Sequence, residues 1–436
     1  MPKNIRVNKG DNKKVTILLG AGATFPWEGP SSEDIRKRII DTKAFVIKSG
    51  NRTVGEYIFS QLETYYGMSQ EVNFETFLAV LESIVDYLFS ASAKGATSPL
   101  FVSSFPAIFN LNDFVEEVKD TNIINEKLLE ASGFPDSGIE STMSYEELNT
   151  SQRHYIDLQY FTNMYNYYME IVSKCIADYT YNLDKKKFQV QSDHFRTYIS
   201  SWIEKGYTLR IYTTNYDRLI PELLKDKYDV FNGFTTGHTD VYEQAYAYNT
   251  KVIHEDRMLL NYYNLHGCLN WRSSRALDNL YNFECTPNQV HHGVEFVGME
   301  RTNPGQEVVK TNIVTGYNKL QHTSIEPLNL FFNSFANDCY SSELIVSVGF
   351  SYSDFYIGRI IANALNKFGA KLLHVTYAKN ASEVDDRREW HNINQTLFDS
   401  KAYIKRIDDK DDSVQIKCEG NDHLIFIKGF EEFLNQ

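Results

Sequence analysis

Val15-Thr16-Ile17-Leu18-Leu19 runs directly into Gly20-Ala21-Gly22-Ala23-Thr24, and this junction constrains the fold more than any other segment of the chain. An apolar, β-branched run with no polar alternation suits a strand buried on both faces, the condition of a parallel sheet covered by helices. The glycine turn that follows lets the backbone reverse tightly and lets amides approach an anion at the next helix N-terminus. Beyond Pro30 the pattern becomes helical, with Ser31 three residues before Asp34 as a capping pair. Strand, glycine turn and helix in that order open a doubly wound α/β fold.

The rest of the chain divides by periodicity. Strand-like runs return at 207–212, 263–265, 344–348 and 371–377, separated by helical patterns over 217–224, 357–368 and 381–398. That alternation predicts a mainly parallel, Rossmann-like sheet. Between Gly55 and Gly206 the period is helical instead. Phe74, Phe77, Leu78, Leu81, Ile84, Val85, Leu88 and Phe89 fall on one stripe, and 155–181 is dense in aromatics and aliphatics. The expected organisation is an α/β domain of residues 1–54 and 206–436 with a large helical insertion over 55–205. Segments 91–106 and 131–144 read as loops, 269–322 as an irregular subdomain or lid, and 408–412 as a solvated hairpin turn.

Composition excludes several classes. Over 436 residues, 44 Lys+Arg stand against 57 Asp+Glu, a formal charge of −13. Such a surface does not track a phosphate backbone, so no direct nucleic-acid binding is expected, and any such contact falls to a partner. The five cysteines, Cys175, Cys268, Cys285, Cys339 and Cys418, have no C-x-x-C spacing, which argues against a cysteine zinc module and a disulfide framework. His291, His292 and His322 lack a carboxylate or cysteine at ligand spacing, so no metal is expected. No run reaches the ~18 apolar residues of a membrane span, and the N-terminus has no signal-peptide core. A cytoplasmic location without membrane contact is the expectation. The aromatic content of 14%, nearly all Tyr and Phe, is read as packing.

Ligands of an open parallel sheet bind at the carboxyl ends of its strands. The residues at those ends are distinctive. They are Gly20-Ala21-Gly22-Ala23-Thr24, then Thr213-Thr214-Asn215-Tyr216-Asp217, then Leu265-His266-Gly267, then Val348-Gly349-Phe350-Ser351-Tyr352-Ser353-Asp354, and last Tyr377-Ala378-Lys379-Asn380. Asp217 can cap the helix that follows it, a role that explains Asn215 less well. Glu75 begins a helix in Asn73-Phe74-Glu75 and reads either as its N-terminal cap or as a group near a ligand pocket. No G-x-S-x-G elbow is present for a serine nucleophile.

In this order the motifs resemble the sirtuin family. G-A-G-A-T is similar to its G-A-G-[AI]-S loop, T-N-Y-D to its [TQ]-N-x-D segment, L-H-G to its catalytic L-H-G, and V-G-F-S to its G-[TS]-S loop, while Asn380 matches its adenine-side asparagine. The resemblance implies that Gly20, Ala21, Gly22, Ala23 and Thr24 cradle an NAD pyrophosphate, with Thr214, Gly349, Ser351 and Asn380 completing the cofactor site. It implies that Asn215 positions a water beside the nicotinamide ribose, that Asp217 holds the carboxamide and that His266 acts as base on a ribose hydroxyl. Cleaving the nicotinamide–ribose bond builds an oxocarbenium-like centre that a polar, dry pocket stabilises.

Two departures direct the reading. The cysteine pairs of the deacylases are missing, and no copy of their peptide-clamping segment is evident. Water then becomes the default acceptor, so NAD hydrolysis to nicotinamide and ADP-ribose is expected in place of deacylation. The insertion is similar to those of bacterial sirtuin-like proteins that defend against phage. That likeness implies abortive infection by NAD depletion, a homo-oligomer and a HerA-type ATPase partner. A non-catalytic NAD or ADP-ribose sensor controlling a partner is the alternative, with Asn215 and His266 discriminating the two, and an NAD-dependent protein deacylase, which would consume NAD only with an acyl-lysine peptide, is the less favoured third.

Overall fold

The computed structural model describes residues 13–48, 52–67, 72–92, 114, 117–118, 126–127, 129–130, 139–140, 142–181, 183–239, 242–255, 258–274, 279–283, 299–303, 306–309, 311–315, 319, 323–378, 388–397, 405–410, 413–418 and 421–435. Contacts divide the chain into two units. One comprises Met1–Ser31, Ile176–Val290 and Thr323–Gln436, and the other Ser32–Cys175 and His291–His322.

The first unit is built on a sheet of eight strands: β1 (Lys14–Leu19), β2 (Thr208–Thr213), β3 (Leu260–Asn264), β4 (Leu344–Val348), β5 (Lys371–Val375), β6 (Lys405–Lys410), β7 (Ser413–Cys418) and β8 (Asn421–Phe426). Across the sheet they lie in the order β6-β7-β8-β5-β4-β1-β2-β3. β8, β5, β4, β1, β2 and β3 pair parallel, and β6 and β7 add an antiparallel edge. Counting the parallel strands alone in chain order, the sequence across the sheet is 3-2-1-4-5-6. This is the Rossmann-like α/β arrangement, with its direction of winding reversed between β1 and β4.

Both faces of the sheet are covered, as the unbroken apolar run of β1 requires. Successive side chains of a strand point to opposite faces. Val15, Ile17 and Leu19 join Leu209, Ile211, Leu260 and Tyr262 in a core closed by Phe195 and Ile199 of the helix Gln189–Glu204. The alternate residues meet the helix Leu328–Ser341. Tyr212 packs on Phe335 at 4.9 Å and Tyr263 stacks on Phe331 at 4.5 Å between ring centroids. On that face Asp338 accepts from Lys14 Nζ and from Tyr212 Oη, each at 2.5 Å. Burial and the neighbouring carboxylate push the Tyr212 hydroxyl well above its ordinary pKa.

The helical pattern of the second unit is realised in the helices Ser32–Ile40, Val54–Tyr66, Phe74–Ser92 and Thr150–Tyr181, the last of which crosses into the first unit. Aromatic packing fills it: Phe59 stacks on Phe77 at 5.2 Å, and Phe77 meets Tyr168 edge-on at 4.7 Å. The helix Gln189–Glu204 falls within the span read from sequence as insertion, yet its buried Phe195 and Ile199 belong to the sheet's core.

Local structure departs from expectation in three places. The glycine turn passes at once into a 3-10 helix, Ala21–Trp27, well before Pro30. Segment 269–322 contains strands. Trp271–Ser274 and Asn279–Phe283 join Phe234–Thr239 and Tyr242–Tyr248 in a four-stranded antiparallel sheet, and Met299–Asn303 pairs with Gln306–Val309. These strands are short and mixed in composition, so they lack the alternation that would reveal them. Asp408–Lys410 end β6 rather than forming the turn. The predicted loops 91–106 and 131–144 lie mostly outside the described residues, as do Cys285, His291, His292 and His322. No described helix is long and apolar enough to cross a membrane.

Candidate functional site

The loops that leave β4, β1, β2 and β3 emerge side by side along the carboxyl edge of the sheet, because those strands are neighbours in that order. They carry all but one of the residues that the resemblance assigned to the NAD site. The exception is Asn380, which lies outside the described residues.

Between β1 and β4 the contact is made by backbone. The Gly20 amide donates to Val348 O at 2.9 Å, Gly22 to Gly349 O at 3.2 Å and Ala23 to Gly20 O at 3.0 Å. A Cβ on Gly349 would lie 2.4 Å from Gly22 Cα, and Gly349 adopts φ +58°, a conformation that favours glycine. The glycines therefore serve the close approach of two loops, and three amides expected to face a pyrophosphate already have protein acceptors. Ala21 is exposed at the tip of the turn, and Thr24 is buried with Oγ1 donating to Ala21 O at 2.9 Å.

Between β1, β2 and β3 side chains add to the backbone contacts. Asn215 Nδ2 donates to Gly20 O at 3.0 Å, while the Thr214 amide donates to Leu19 O at 3.0 Å. Asn264, at the end of β3 and buried, donates Nδ2 to the carbonyls of Asn215 and Asp217 at 3.0 and 3.1 Å. The loop is thereby fixed from both sides, and the Asn215 carbonyl oxygen Oδ1 is the end of that amide with no partner among the described residues. Asp217 is buried and both its oxygens are engaged. Oδ1 accepts from the Leu219 amide at 2.8 Å, opening the helix Leu219–Leu224, and Oδ2 accepts from Tyr179 Oη at 2.5 Å. Burial raises the Asp217 carboxyl above its ordinary range, against the opposing pull of Tyr179 and the Leu219 amide. The same burial and the adjacent carboxylate hold the Tyr179 hydroxyl protonated far above its usual range.

His266 follows β3, and its neighbour Gly267 turns the chain away at φ +83°. The imidazole is buried at 4% exposure, and its Nε2 lies 3.1 Å from Asp354 Oδ2. Asp354 stands at the head of the helix Phe355–Phe368, where Oδ1 accepts from the Tyr356 and Ile357 amides at 3.0 and 3.2 Å. This contact joins the loop after β3 to the loop after β4 and so spans the ends of β2 and β1.

On the other side of β1 lies a cleft of about 490 Å³ lined by Gly22, Phe25, Gly349, Ser351, Thr376, Tyr377 and Glu389 among others. Phe25 and Tyr377 on its wall are more than half exposed, at 51% and 59%. Glu389 is held by two strand-end side chains, accepting from Thr376 Oγ1 at 2.9 Å and meeting His374 Nε2 at 2.8 Å. Ser351 is exposed, its hydroxyl 2.9 Å from that of Ser353. Glu75 lies in the other unit. Asn73 Oδ1 caps its helix by accepting from the Glu75 and Thr76 amides, and Glu75 pairs with Lys319 at 2.7 Å. Asn73 thus takes the capping role that the sequence suggested for Glu75. Asn264, Asp354, Tyr179 and Glu389 were not singled out by sequence reasoning. Asn264 and Asp354 did stand at strand ends, where such groups are expected.

Residues 209–398 match the family model of the SIR2-like domain, a little under half the chain. The match takes in Asn215, Asp217, His266, Gly349, Ser351 and Asn380, while Gly20–Thr24 precede it. No curated protein matches the chain.

Proposed function

We propose that this chain, with its SIR2-like region, is an NAD glycohydrolase that splits the nicotinamide–ribose bond and passes the ribosyl carbon to water. The observation that carries the reading is the pair Asn215 and His266. Both sit at the carboxyl edge of a Rossmann-like sheet, after β2 and β3 on one side of the point where its winding reverses, and both keep one polar atom without a partner among the described residues. The amide oxygen of Asn215 can accept a hydrogen bond from a water, and the second ring nitrogen of His266 can take a proton from a ribose hydroxyl. Oriented polar groups of this kind stabilise an oxocarbenium-like transition state more than the ground state.

The cleft between the β1, β4 and β5 loops is the natural seat for the adenosine half, with Phe25 and Tyr377 offering rings to a base. Depletion of NAD during phage infection, assembly into a homo-oligomer and control by a HerA-type ATPase extend the same reading and rest on the sequence resemblance. The test is turnover of a fluorogenic NAD analogue by the purified chain, alone and with a candidate ATPase. Asn215→Ala and His266→Ala should each lower kcat by on the order of 100-fold or more. Unchanged turnover in both variants would overturn the assignment. Binding of NAD by the wild type with no turnover under any condition would establish a sensor instead.

A further inference from the structure

The contact between His266 and Asp354 decides something that the motif L-H-G leaves open, namely which nitrogen of the imidazole does the work. An ionised carboxylate accepts hydrogen bonds and cannot donate them, so the ring nitrogen that faces it carries the proton. Asp354 Oδ2 lies 3.1 Å from Nε2 of His266. The carboxylate cannot swing away freely, because its other oxygen is tied to the Tyr356 and Ile357 amides at 3.0 and 3.2 Å. The Asp354 side chain is 13% exposed and that of His266 4%, so water competes weakly for the contact. Nδ1 has no partner among the described residues.

We infer that Asp354 is a positioning residue that fixes His266 as the Nε2–H tautomer and thereby makes Nδ1 the nitrogen that meets the ligand. The inference rests on the proposed role of His266 for its catalytic consequence, though not for the tautomer itself. In turnover Nδ1 would take the proton of a ribose hydroxyl, the oxygen would keep its electron pair, and the resulting imidazolium would share its charge with Asp354 across Nε2. A buried base oriented by a third group in this way is the logic of a catalytic triad without the nucleophile. Because Asp354 belongs to the loop after β4 and His266 to the loop after β3, the pair also holds the two outer walls of the site in register.

Asp354→Asn tests this without removing the helix cap. The asparagine oxygen can keep the Tyr356 and Ile357 amides, which leaves its NH2 facing Nε2, and a donor there requires Nε2 to be bare. Side-chain 15N spectra of histidine-labelled full-length protein read the tautomer directly, with His266→Gln identifying the signal. The expected result is Nε2–H in the wild type and Nδ1–H in Asp354→Asn. Turnover of NAD by Asp354→Asn should fall on the order of 100-fold in kcat, with KM changed less than about threefold. A wild-type ring protonated on Nδ1, or a ring that keeps Nε2–H in Asp354→Asn, would overturn the inference. So would full kcat in the variant. A wild type that never turns over NAD would sink the glycohydrolase reading alone, since the spectra judge the tautomer without any reaction.

Discussion

The two sides of β1 at the carboxyl edge of the sheet are built by different means. Toward β2 and β3, side chains hold the loops: Asn215 to Gly20, Asn264 to the Asn215 and Asp217 carbonyls, and Tyr179 to Asp217. Toward β4 and β5, glycine backbones touch and an open cleft stands beside them. Side-chain networks fix the direction of individual polar atoms, which is what bond cleavage requires. Backbone contact fixes the shape of a wall, and Glu389, held by Thr376 and His374, sets an anchored polar group on it, which is what a binding surface requires. On the proposed reading, the difference puts chemistry on one side and recognition on the other.

The largest effect should come from the backbone contact. Gly349→Ala places a Cβ 2.4 Å from Gly22 Cα and forces alanine into φ +58°. A loss of about 3 kcal/mol or more is expected, since neither backbone can retreat from the strand that holds it. Gly369→Ala is the control, because its φ of +76° is strained while nothing lies within 4 Å of the added carbon. It should cost about 1 kcal/mol. Urea unfolding midpoints compare the two directly. Equal losses would mean that the close approach contributes nothing beyond φ.

On the side-chain half, Tyr179→Phe removes the donor at Asp217 Oδ2 and leaves a buried carboxylate oxygen unsatisfied. The expected cost is about 1–3 kcal/mol in the same unfolding experiment. A stability within a few tenths of wild type would show that the loop does not depend on this bond.

The pH dependence of stability gives a smaller and independent signal. The folded Asp217 carboxyl is raised above its ordinary value of 3.8, chiefly by burial. The folded protein therefore binds a proton that the unfolded chain has already released, and stability falls as pH rises from that ordinary value through the raised one, then levels. Asp217→Asn should lack that decline, so the difference between wild type and variant should change with pH only within this window. A difference that is constant from acid to neutral pH would contradict the burial argument.

How much of this was legible in the sequence follows the range of each interaction. β1 and its glycine turn, and the four other parallel strands read as apolar runs, are visible because an apolar run and its punctuation are local. β4 was read to the residue, whereas β2, β3 and β5 were displaced at their ends by one to three residues. The purpose of the glycines was not visible. A pattern such as G-A-G-A-T serves an anion or a neighbouring backbone equally well, and the backbone contact becomes visible only with Gly349, more than 300 residues on. Asp354 lies 88 residues from His266, Asn264 lies 47 from Asp217, and Tyr179 lies 38 from it. Each was an ordinary polar residue until its partner was known. The antiparallel sheet of Phe234–Thr239, Tyr242–Tyr248, Trp271–Ser274 and Asn279–Phe283 was missed for a related reason, since its pairing, not its composition, defines it.

The smallest expected effect lies in the cleft and tests the division of labour itself. Glu389 accepts from Thr376 Oγ1 and meets His374 Nε2, so its carboxylate is anchored at the cleft wall by two strand-end side chains. Glu389→Gln keeps the shape and one acceptor oxygen while removing the charge, which should cost roughly 0.5–1.5 kcal/mol in whatever the carboxylate stabilises. If the cleft recognises and the opposite side reacts, that cost falls on binding common to substrate and transition state. KM for NAD should then rise about two- to tenfold with kcat unchanged, because uniform binding is lost without touching the chemical step. Steady-state kinetics of the variant separate the two constants. A fall in kcat at constant KM would place Glu389 in the reaction and erase the distinction between the two sides of β1.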